Sequence, residues 1–323
     1  MKIVLSQSIA QRLTAAVLSF AAAGSFGASA LASGLPYDEH AVAWGDLHYN
    51  LPARSLGASP YGLKSIASGS WHSVGLGADG RVLTWGNNDF GQVNLPAGLT
   101  NRYVLRIAAG NLHSLALLRN GTVVAWGPAE GAYGDFGQCS VPAGLKHVVA
   151  IDAGAVHSLA LQANGTVIAW GANSYGQCNV PAGLKQVVAI AGGMYHSVAL
   201  TRNGKVVAWG NDTWGQTDVP AGLDHVIAIA AGGNHTLALK RDGTVVAWGR
   251  YGLAQCTVPE GLSDVVAIAT GDHHSLALKR DGTVVCWGYN TLGQCTVPTK
   301  LPNVIAISAR GAHSMVLTRA PRR

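Results

Sequence analysis

The sequence predicts an all-β protein, a seven-bladed β-propeller whose blades are four-stranded antiparallel sheets. Three observations predict this fold. A Trp-Gly pair recurs with a period of about 40 residues, Asn-Gly or Asp-Gly separates two apolar segments in most copies, and one copy is split between the two ends of the chain. The composition agrees, because 42 glycines and only 12% charged residues among 323 indicate many tight turns between short apolar strands.

Seven copies of the repeat are present, and three residue types mark them. The tryptophans of the Trp-Gly pairs are Trp44, Trp85, Trp126, Trp170, Trp209, Trp248 and Trp287. The recurring histidines are His72, His113, His157, His196, His235, His274 and His313. A Val-Pro or Leu-Pro step follows each Trp-Gly pair and ends at Pro52, Pro96, Pro142, Pro181, Pro220, Pro259 and Pro298. A period of this length indicates a repeat architecture.

Each copy divides into four short apolar pieces, for example "VVAIAGG", "HSVAL", "KVVAWG" and "QTDVP" within residues 187–220. The pieces are rich in valine, isoleucine and leucine and are bounded by turn residues, as strands are. The second piece is joined to the third by Asn-Gly or Asp-Gly at 79–80, 120–121, 164–165, 203–204, 242–243 and 281–282. These dipeptides favour the type I′ turn of a two-residue hairpin, so each copy is predicted to be a four-stranded antiparallel meander.

The two ends of the chain predict that the blades close into a ring. Residues 41–52 supply a third and a fourth piece without a first and second, and residues 304–317 supply a first and a second piece without a third and fourth. Pairing these segments completes a seventh blade and leaves no large open sheet edge. An open solenoid would instead be expected to end in polar capping repeats.

The N-terminal residues 1–32 resemble a secretory signal peptide. Lys2 and Arg12 precede an alanine-rich apolar run, and small residues occupy Ala30 and Ala32. We therefore expect a short linker at 33–40, the propeller at 41–318 and a basic tail at 319–323, in a protein that is secreted or periplasmic. A retained membrane anchor is the alternative, but the run contains glycine and serine and is short for a spanning helix. After signal removal we expect no membrane insertion.

Removing Lys2 and Arg12 lowers the formal charge from +6 to +4. This mild excess, part of which lies in the tail, is a weak argument for nucleic acid, and no nucleic-acid partner is expected.

The consensus "GxxHSLALKxDGTVVAWGxNxxGQ" resembles the repeat of the regulator of chromosome condensation family, and the resemblance covers about residues 41–318. The short units with "VPAG" linkers behind a signal peptide resemble the secreted bacterial branch of that family, which includes a propeller-type β-lactamase inhibitor. The resemblance implies a seven-bladed propeller and an inhibitor-like function toward an enzyme such as a β-lactamase. It also implies a weaker alternative, which is guanine-nucleotide exchange or chromatin-type regulation. The signal peptide disfavours this alternative, and so does the lack of a long insertion or a basic tail of the expected kind.

The predicted meander sorts the connections between strands onto two faces. The uniform face carries the Asn-Gly and Asp-Gly turns and the "PAGL" linkers. The varied face carries the residues between a glycine and the repeated histidine, and the residues between Trp-Gly and Gly-Gln. Positions that differ from blade to blade are free to serve a partner, so we expect the binding site on the varied face.

Aromatic and short polar side chains are concentrated on the varied face, which is the composition of a protein-binding surface. The loop between Trp126 and Gln138 is five residues longer than the one between Trp170 and Gln177, and such insertions often lie on the binding face. Packing between blades is the alternative role of any one ring. The candidate partner-binding residues are Trp71, Phe90, Glu130, Tyr133, Phe136, Tyr175, Tyr195, Asp212, Trp214, Tyr251, His273 and Tyr289.

The repeated histidines are predicted to be structural hydrogen-bonding residues, since each begins an apolar strand and none has a neighbouring second ligand or orienting carboxylate. The repeated tryptophans are predicted to lie in the core between blades. No catalytic arrangement, metal site or cofactor site is expected, because the carboxylates are few and unpaired and no phosphate-binding loop is present.

Five cysteines have two different predicted roles. Cys139, Cys178, Cys256 and Cys295 occupy equivalent positions after a glutamine, too far apart in neighbouring blades to pair with one another, and are predicted to be small apolar residues. Cys286 replaces the alanine of "VVAWG" and faces Cys295 across a hairpin. An exported setting favours a disulfide between these two, and the cross-strand geometry disfavours it.

The sequence thus predicts a monomeric, non-catalytic interaction propeller that binds a partner protein through its varied face. A carbohydrate-binding propeller is the alternative, in which the same rings stack on sugars and the asparagine and aspartate side chains bond hydroxyl groups.

Overall fold

The computed structural model describes residues 37–47, 62–99 and 103–321, which form seven three-stranded antiparallel sheets. Strand β1 (Tyr37–Gly45) comes first and is followed by six blades of three consecutive strands. Blade 1 contains β2 (Leu63–Ser68), β3 (His72–Gly77) and β4 (Val82–Gly86), and blade 2 contains β5 (Val104–Ala109), β6 (Ser114–Leu118) and β7 (Val123–Trp126). Blade 3 contains β8 (Val148–Ala153), β9 (His157–Gln162) and β10 (Val167–Gly171), and blade 4 contains β11 (Val187–Gly192), β12 (His196–Thr201) and β13 (Val206–Gly210).

The second half of the ring repeats the same pattern. Blade 5 contains β14 (Val226–Ala231), β15 (His235–Lys240) and β16 (Val245–Gly249), and blade 6 contains β17 (Val265–Thr270), β18 (His274–Lys279) and β19 (Val284–Gly288). The last two strands are β20 (Val304–Arg310) and β21 (His313–Pro321), and a 3₁₀ turn occupies Ala97–Leu99. No helix among the described residues is long and apolar enough to cross a bilayer.

The predicted closure of the ring is confirmed. Strand β1 pairs antiparallel with β21, from Tyr37 opposite Pro321 to Gly45 opposite His313, and β21 pairs with β20. This closing blade combines both ends of the chain. Its pairing also includes residues 37–40 and 319–321, which the sequence analysis assigned to a linker and a tail. The predicted signal peptide and the "YNLP" piece at 49–52 lie outside the described residues.

The prediction of four strands per blade is wrong, because in blades 1–6, where the structure describes the fourth piece, that piece makes no ladder. In blade 3 the N–H of Val180 donates to the carbonyl of Cys178 two residues earlier, at 3.0 Å, and Pro181 has no N–H to donate. The same contact is made by Val141, Val219, Val258 and Val297. The fourth piece therefore packs through side chains without joining the sheet.

The hydrophobic core lies between neighbouring blades. One cluster joins Leu159 and Leu161 of blade 3 to Ile190 and Trp209 of blade 4, and Val180 of the fourth piece packs against it. Equivalent clusters join every neighbouring pair, including both contacts of the closing blade. The seven repeated tryptophans of the Trp-Gly pairs are at least nine-tenths buried, which confirms their predicted position in the core.

Cys286 and Cys295 form a disulfide with their Cα atoms 5.1 Å apart. It links β19 to the fourth piece of blade 6. The thiols of Cys139, Cys178 and Cys256 are free. Burial raises the pKa of Cys139 and Cys256 to about 12 and that of Cys178 to about 11, so these thiols are protonated at neutral pH.

Replacing both disulfide cysteines with alanine should lower the free energy of unfolding by about 2–3 kcal/mol, because the cross-link restricts the unfolded chain over a loop with a sequence separation of 9. Five of the other six blades carry alanine at the position of Cys286, so packing at that position is preserved. Urea unfolding of the parent and of C286A/C295A, each with and without reductant, measures the change. A parent whose stability does not respond to reductant would contradict the prediction.

Candidate functional site

The connections predicted to share the varied face do lie together. In six blades the residue that follows Trp-Gly donates its N–H to the carbonyl just before the repeated histidine of the same blade. Asn87 donates to Trp71 and Asn211 donates to Tyr195, each at 2.8 Å, and Tyr289 donates to His273 at 2.9 Å. In those blades the bonds attach the outer loop to the inner turn, and together the loops and turns form the varied face.

Large aromatic rings are exposed on the varied face across five consecutive blades. Tyr133 is 90% exposed, and the other exposed rings range from Tyr251 at 63% to Trp71 at 44%. The full exposed set is Trp71, Tyr133, Phe136, Tyr175, Trp214 and Tyr251. Glu130 and Asp212 are also exposed, whereas Phe90, Tyr195, His273 and Tyr289 are half-buried. Twelve residues predicted from sequence thus divide into an exposed group and a supporting group.

Members of the supporting group pack against exposed rings. The ring centroids of Phe90 and Tyr133 are 6.2 Å apart, and those of Tyr175 and Tyr195 are 5.0 Å apart. Both pairs join neighbouring blades. The two roles considered for these aromatics are therefore combined, because one ring of each pair packs between blades and holds the other at the surface.

The longer outer loop of blade 2 is ordered by its own polar groups. The carboxylate of Asp135 accepts the N–H of Gly131 at 2.8 Å and the N–H of Gly137 at 2.9 Å. The buried amide of Gln138 donates from Nε2 to the carbonyl of Gly134 at 2.6 Å. A loop fixed in this way presents Tyr133 and Phe136 without paying a large ordering entropy on binding.

A buried glutamine supports the outer loop in every blade from 1 to 6. Its Oε1 accepts the N–H of the residue two positions earlier, as Gln177 does from Tyr175 at 3.0 Å and Gln216 from Trp214 at 2.9 Å. Its backbone carbonyl accepts the indole N–H of the next blade, as Gln177 does from Trp209 at 2.9 Å. The exposed aromatics therefore stand on backbone that is fixed to the core.

Six of the seven repeated histidines hydrogen-bond to the next blade and are structural, as predicted. The ring of His157 lies 3.0 Å from the hydroxyl of Ser197, and that hydroxyl donates to the carbonyl of Gln177 at 2.8 Å. Because the hydroxyl hydrogen is used, its oxygen accepts from Nε2–H, so the imidazole is the neutral Nε2–H tautomer. Burial lowers the pKa of His157 to about 3, which keeps the ring neutral. Equivalent bonds are made by His72, His113, His196, His235 and His274.

Arg310 at the centre of the ring is a residue that the sequence analysis did not identify. It lies on the closing blade, where its Nη1 donates to the carbonyls of Ala153 at 2.9 Å and Gly192 at 3.0 Å, on blades 3 and 4. Burial lowers the pKa of Arg310, and the carboxylates of Asp272 and Asp152 oppose that shift. Arg310 thus reaches across the propeller axis beside a small cavity lined largely by the first strands of the blades.

Six segments of the chain match the model of the regulator of chromosome condensation (RCC1) repeat. They are residues 63–92, 104–138, 148–177, 187–216, 226–250 and 265–294, which together make up more than half of the chain. The chain belongs to the RCC1 repeat family. Each matched segment begins at the first strand of a blade, and five of the six extend to its buried glutamine.

Solved RCC1-type structures share the fold. Prp20p of Saccharomyces cerevisiae, characterised with its binding to Gsp1p and histones, aligns with a TM-score of 0.75 at 24% identity, over 88% of this chain and 92% of Prp20p. Yeast RCC1 bound to Kap60 gives a TM-score of 0.75 at 23% identity, over 88% and 89% of the two chains. Human WBSCR16 gives 0.68 at 19% identity, over 87% and 98%. Among curated proteins, none matches the sequence.

Proposed function

We propose that this RCC1-repeat propeller is an exported, non-catalytic protein that binds a partner protein through its varied face. The observation that carries the proposal is the row of exposed aromatic rings on five consecutive blades, all on one face. Exposed aromatic clusters on folded proteins commonly mark contact sites, because rigid rings bury much area at a small entropic cost. The uniform face has a single exposed aromatic ring among the described residues, that of Tyr103.

Two further observations support a protein partner and an exported setting. The fold neighbour Prp20p, which is the yeast RCC1, binds proteins, namely Gsp1p, histones and Kap60. The Cys286–Cys295 disulfide and the signal-like residues 1–32 both suit an oxidising compartment. Occlusion of an enzyme's active site is one specific form of this function, and β-lactamases are the first enzymes to test.

Replacing Tyr133, Phe136 and Tyr175 with alanine should weaken capture of the partner at least about tenfold, because exposed aromatic anchors dominate binding energy. The parent residues 33–323 and Y133A/F136A/Y175A are used as bait for culture and cell-envelope fractions, and captured proteins are then purified for affinity measurements. Each removed side chain is more than half exposed, so stability should change little.

Y103A is the matched control, because Tyr103 is also an exposed ring but lies on the uniform face beside Lys64. It should capture the partner as well as the parent does. Equal capture by the parent and the triple variant, or equal losses in the triple variant and Y103A, would refute the varied face as the binding surface. Glycan-array binding that the triple variant loses, without protein capture, would favour the carbohydrate alternative.

A further inference from the structure

One outer loop on the varied face has an unsatisfied buried donor. The side chain of Gln255 is fully buried, and its Oε1 accepts the N–H of Leu253 at 3.0 Å. This bond fixes the orientation of the amide. The other end of the amide, Nε2, is buried and has no hydrogen-bond partner among the described residues. A buried amide donor without an acceptor is costly, so this atom indicates a position where an acceptor binds.

Equivalent glutamines show where that donor points. In blade 1 the Nε2 of Gln92 donates to Oδ1 of Asn87 at 2.7 Å, and in blade 4 the Nε2 of Gln216 donates to Oδ1 of Asn211 at 2.7 Å. Arg250 occupies the position of these asparagines in blade 5. Replacing an acceptor with a cationic donor removes the internal partner of Gln255 and adds positive charge to the same loop.

The neighbouring blade adds a second unsatisfied group. Gln216 Nε2 also lies 3.5 Å from Oδ1 of Asn234, in the inner turn of the next blade. His273 takes the place of that asparagine opposite Gln255, and its Nδ1 is buried without a hydrogen-bond partner within the described chain. The ring of His273 meets Tyr289 edge-on, with centroids 6.4 Å apart. We call the region formed by Arg250, Gln255, His273 and Tyr289 the blade 5–6 notch.

The guanidinium of Arg250 is held in place at the edge of the notch. Its Cζ lies 4.8 Å from the ring centroid of Trp214, in a cation–π arrangement that joins blade 5 to blade 4. The carboxylate of Asp272, next to His273 on the inner turn, interacts with Arg310 near the axis. The positive charge of Arg250 is therefore available at the surface beside an amide donor.

We propose that the blade 5–6 notch binds a carboxylate, which in the function proposed above is an acidic side chain of the partner protein. A carboxylate is an acceptor for every donor around it and complements the charge of Arg250. The exposed rings of Trp214 and Tyr251 flank the notch, so the acidic side chain would enter between apolar contacts. This inference rests on the proposed function for the source of the carboxylate, but the notch can be tested without any partner.

The test is a titration of the isotopically labelled protein with sodium acetate, against sodium chloride at matched ionic strength, with side-chain amide resonances recorded by NMR. The Gln255 amide should shift saturably with acetate in the millimolar range. The Gln216 amide, which is satisfied by Asn211, should not shift and serves as the internal control. No shift at Gln255, or equal shifts at Gln255 and Gln216, would overturn the proposal.

Two substitutions of Arg250 test whether its charge and the missing acceptor account for acetate binding. R250N restores the acceptor found in blades 1 and 4 and removes the charge, so acetate affinity should fall at least about tenfold. R250A removes the charge without supplying an acceptor and should lie between R250N and the parent. Identical titrations of the parent and R250N would show an adventitious ion effect only. A response to methyl glucoside but not to acetate would show that the notch binds hydroxyl groups instead.

The proposed function and the proposed carboxylate site can be refuted independently of each other. Y133A/F136A/Y175A leaves the notch intact, so loss of capture in that variant reports on the varied face alone. A captured partner should bind R250N at least about tenfold more weakly than the parent. Undiminished binding to R250N would refute the notch as a partner site while leaving the proposed function in place.

Discussion

Lowering the pH from 7 to 5 is expected to unfold the protein. The seven repeated histidines are fully buried, and burial is the main cause that lowers their pKa values. The pKa is about 3 for His72, His157, His196, His235 and His274, about 4 for His313, and well below the ordinary value for His113. In the unfolded chain these imidazoles titrate near 6.5, so between about pH 3 and 6.5 the unfolded state binds more protons.

This difference in proton binding decides the direction in which stability changes with pH. Stability is fully present above pH 6.5 and falls as the pH decreases, by about 1.4 kcal/mol per pH unit for each histidine. Seven histidines together approach 10 kcal/mol per unit, which is comparable to the whole stability of a domain, about 5–15 kcal/mol. Asp152 acts in the opposite direction, because burial raises its pKa to about 7. One carboxyl group cannot offset seven imidazoles.

Tryptophan fluorescence and circular dichroism between pH 8 and 4, at constant ionic strength, should therefore show a cooperative transition with a midpoint between about pH 5 and 6. The protein should take up several protons when it unfolds in this transition. H196Q provides a matched comparison, because the glutamine amide can donate to Thr236 but does not titrate. This variant should take up one proton fewer on unfolding, so its stability should depend less steeply on pH. A chain that stays folded at pH 4 would show that the histidines are not held neutral.

The repeat itself made most of the fold predictable. Asn-Gly and Asp-Gly fixed the hairpins between the second and third strands, and the split copy at the chain ends predicted the closing blade. The fourth strand was predicted wrongly because its apolar residues resemble a strand in sequence. The contact from Val180 to Cys178 and the missing donor of Pro181 divert its backbone, and hydrophobic patterning does not reveal such local hydrogen bonds.

The grouping of the variable loops on one face was predictable from the sequence, but the exposure of individual side chains was not. Strand direction placed the variable loops on one face, yet exposure depends on pairs such as Tyr175 with Tyr195, which form only when blades pack. Two signals were present in the sequence as exceptions to the repeat. Arg250 stands where blades 1 and 4 have asparagine, and Arg310 stands where the other six have the glycine three residues before the histidine. In a repeat protein, such exceptions identify residues with a role of their own.

Replacing Arg310 with glycine is expected to lower the free energy of unfolding by about 3 kcal/mol, because three acceptors on three blades lose their donor. These are the carbonyls of Ala153 and Gly192 and, at 3.4 Å from Nε, Oδ1 of Asn111. Glycine is the residue of the other six blades at this position, where a Cβ would meet the histidine ring, as at Gly69 and Gly232. R310G therefore introduces no steric conflict, and its effect reports the loss of the guanidinium contacts.

Urea unfolding at pH 7.5, above the histidine transition, measures the effect. R310K keeps the charge but lacks the planar array of donors that reaches separate blades at once, so its stability should lie between those of R310G and the parent. R280A removes an exposed arginine from a turn on the uniform face and should change stability by less than about 0.5 kcal/mol. If R310G were as stable as R280A, the contacts of Arg310 across the axis would not stabilise the ring, and closure would depend on β1–β21 pairing, the interblade core and the other interblade hydrogen bonds.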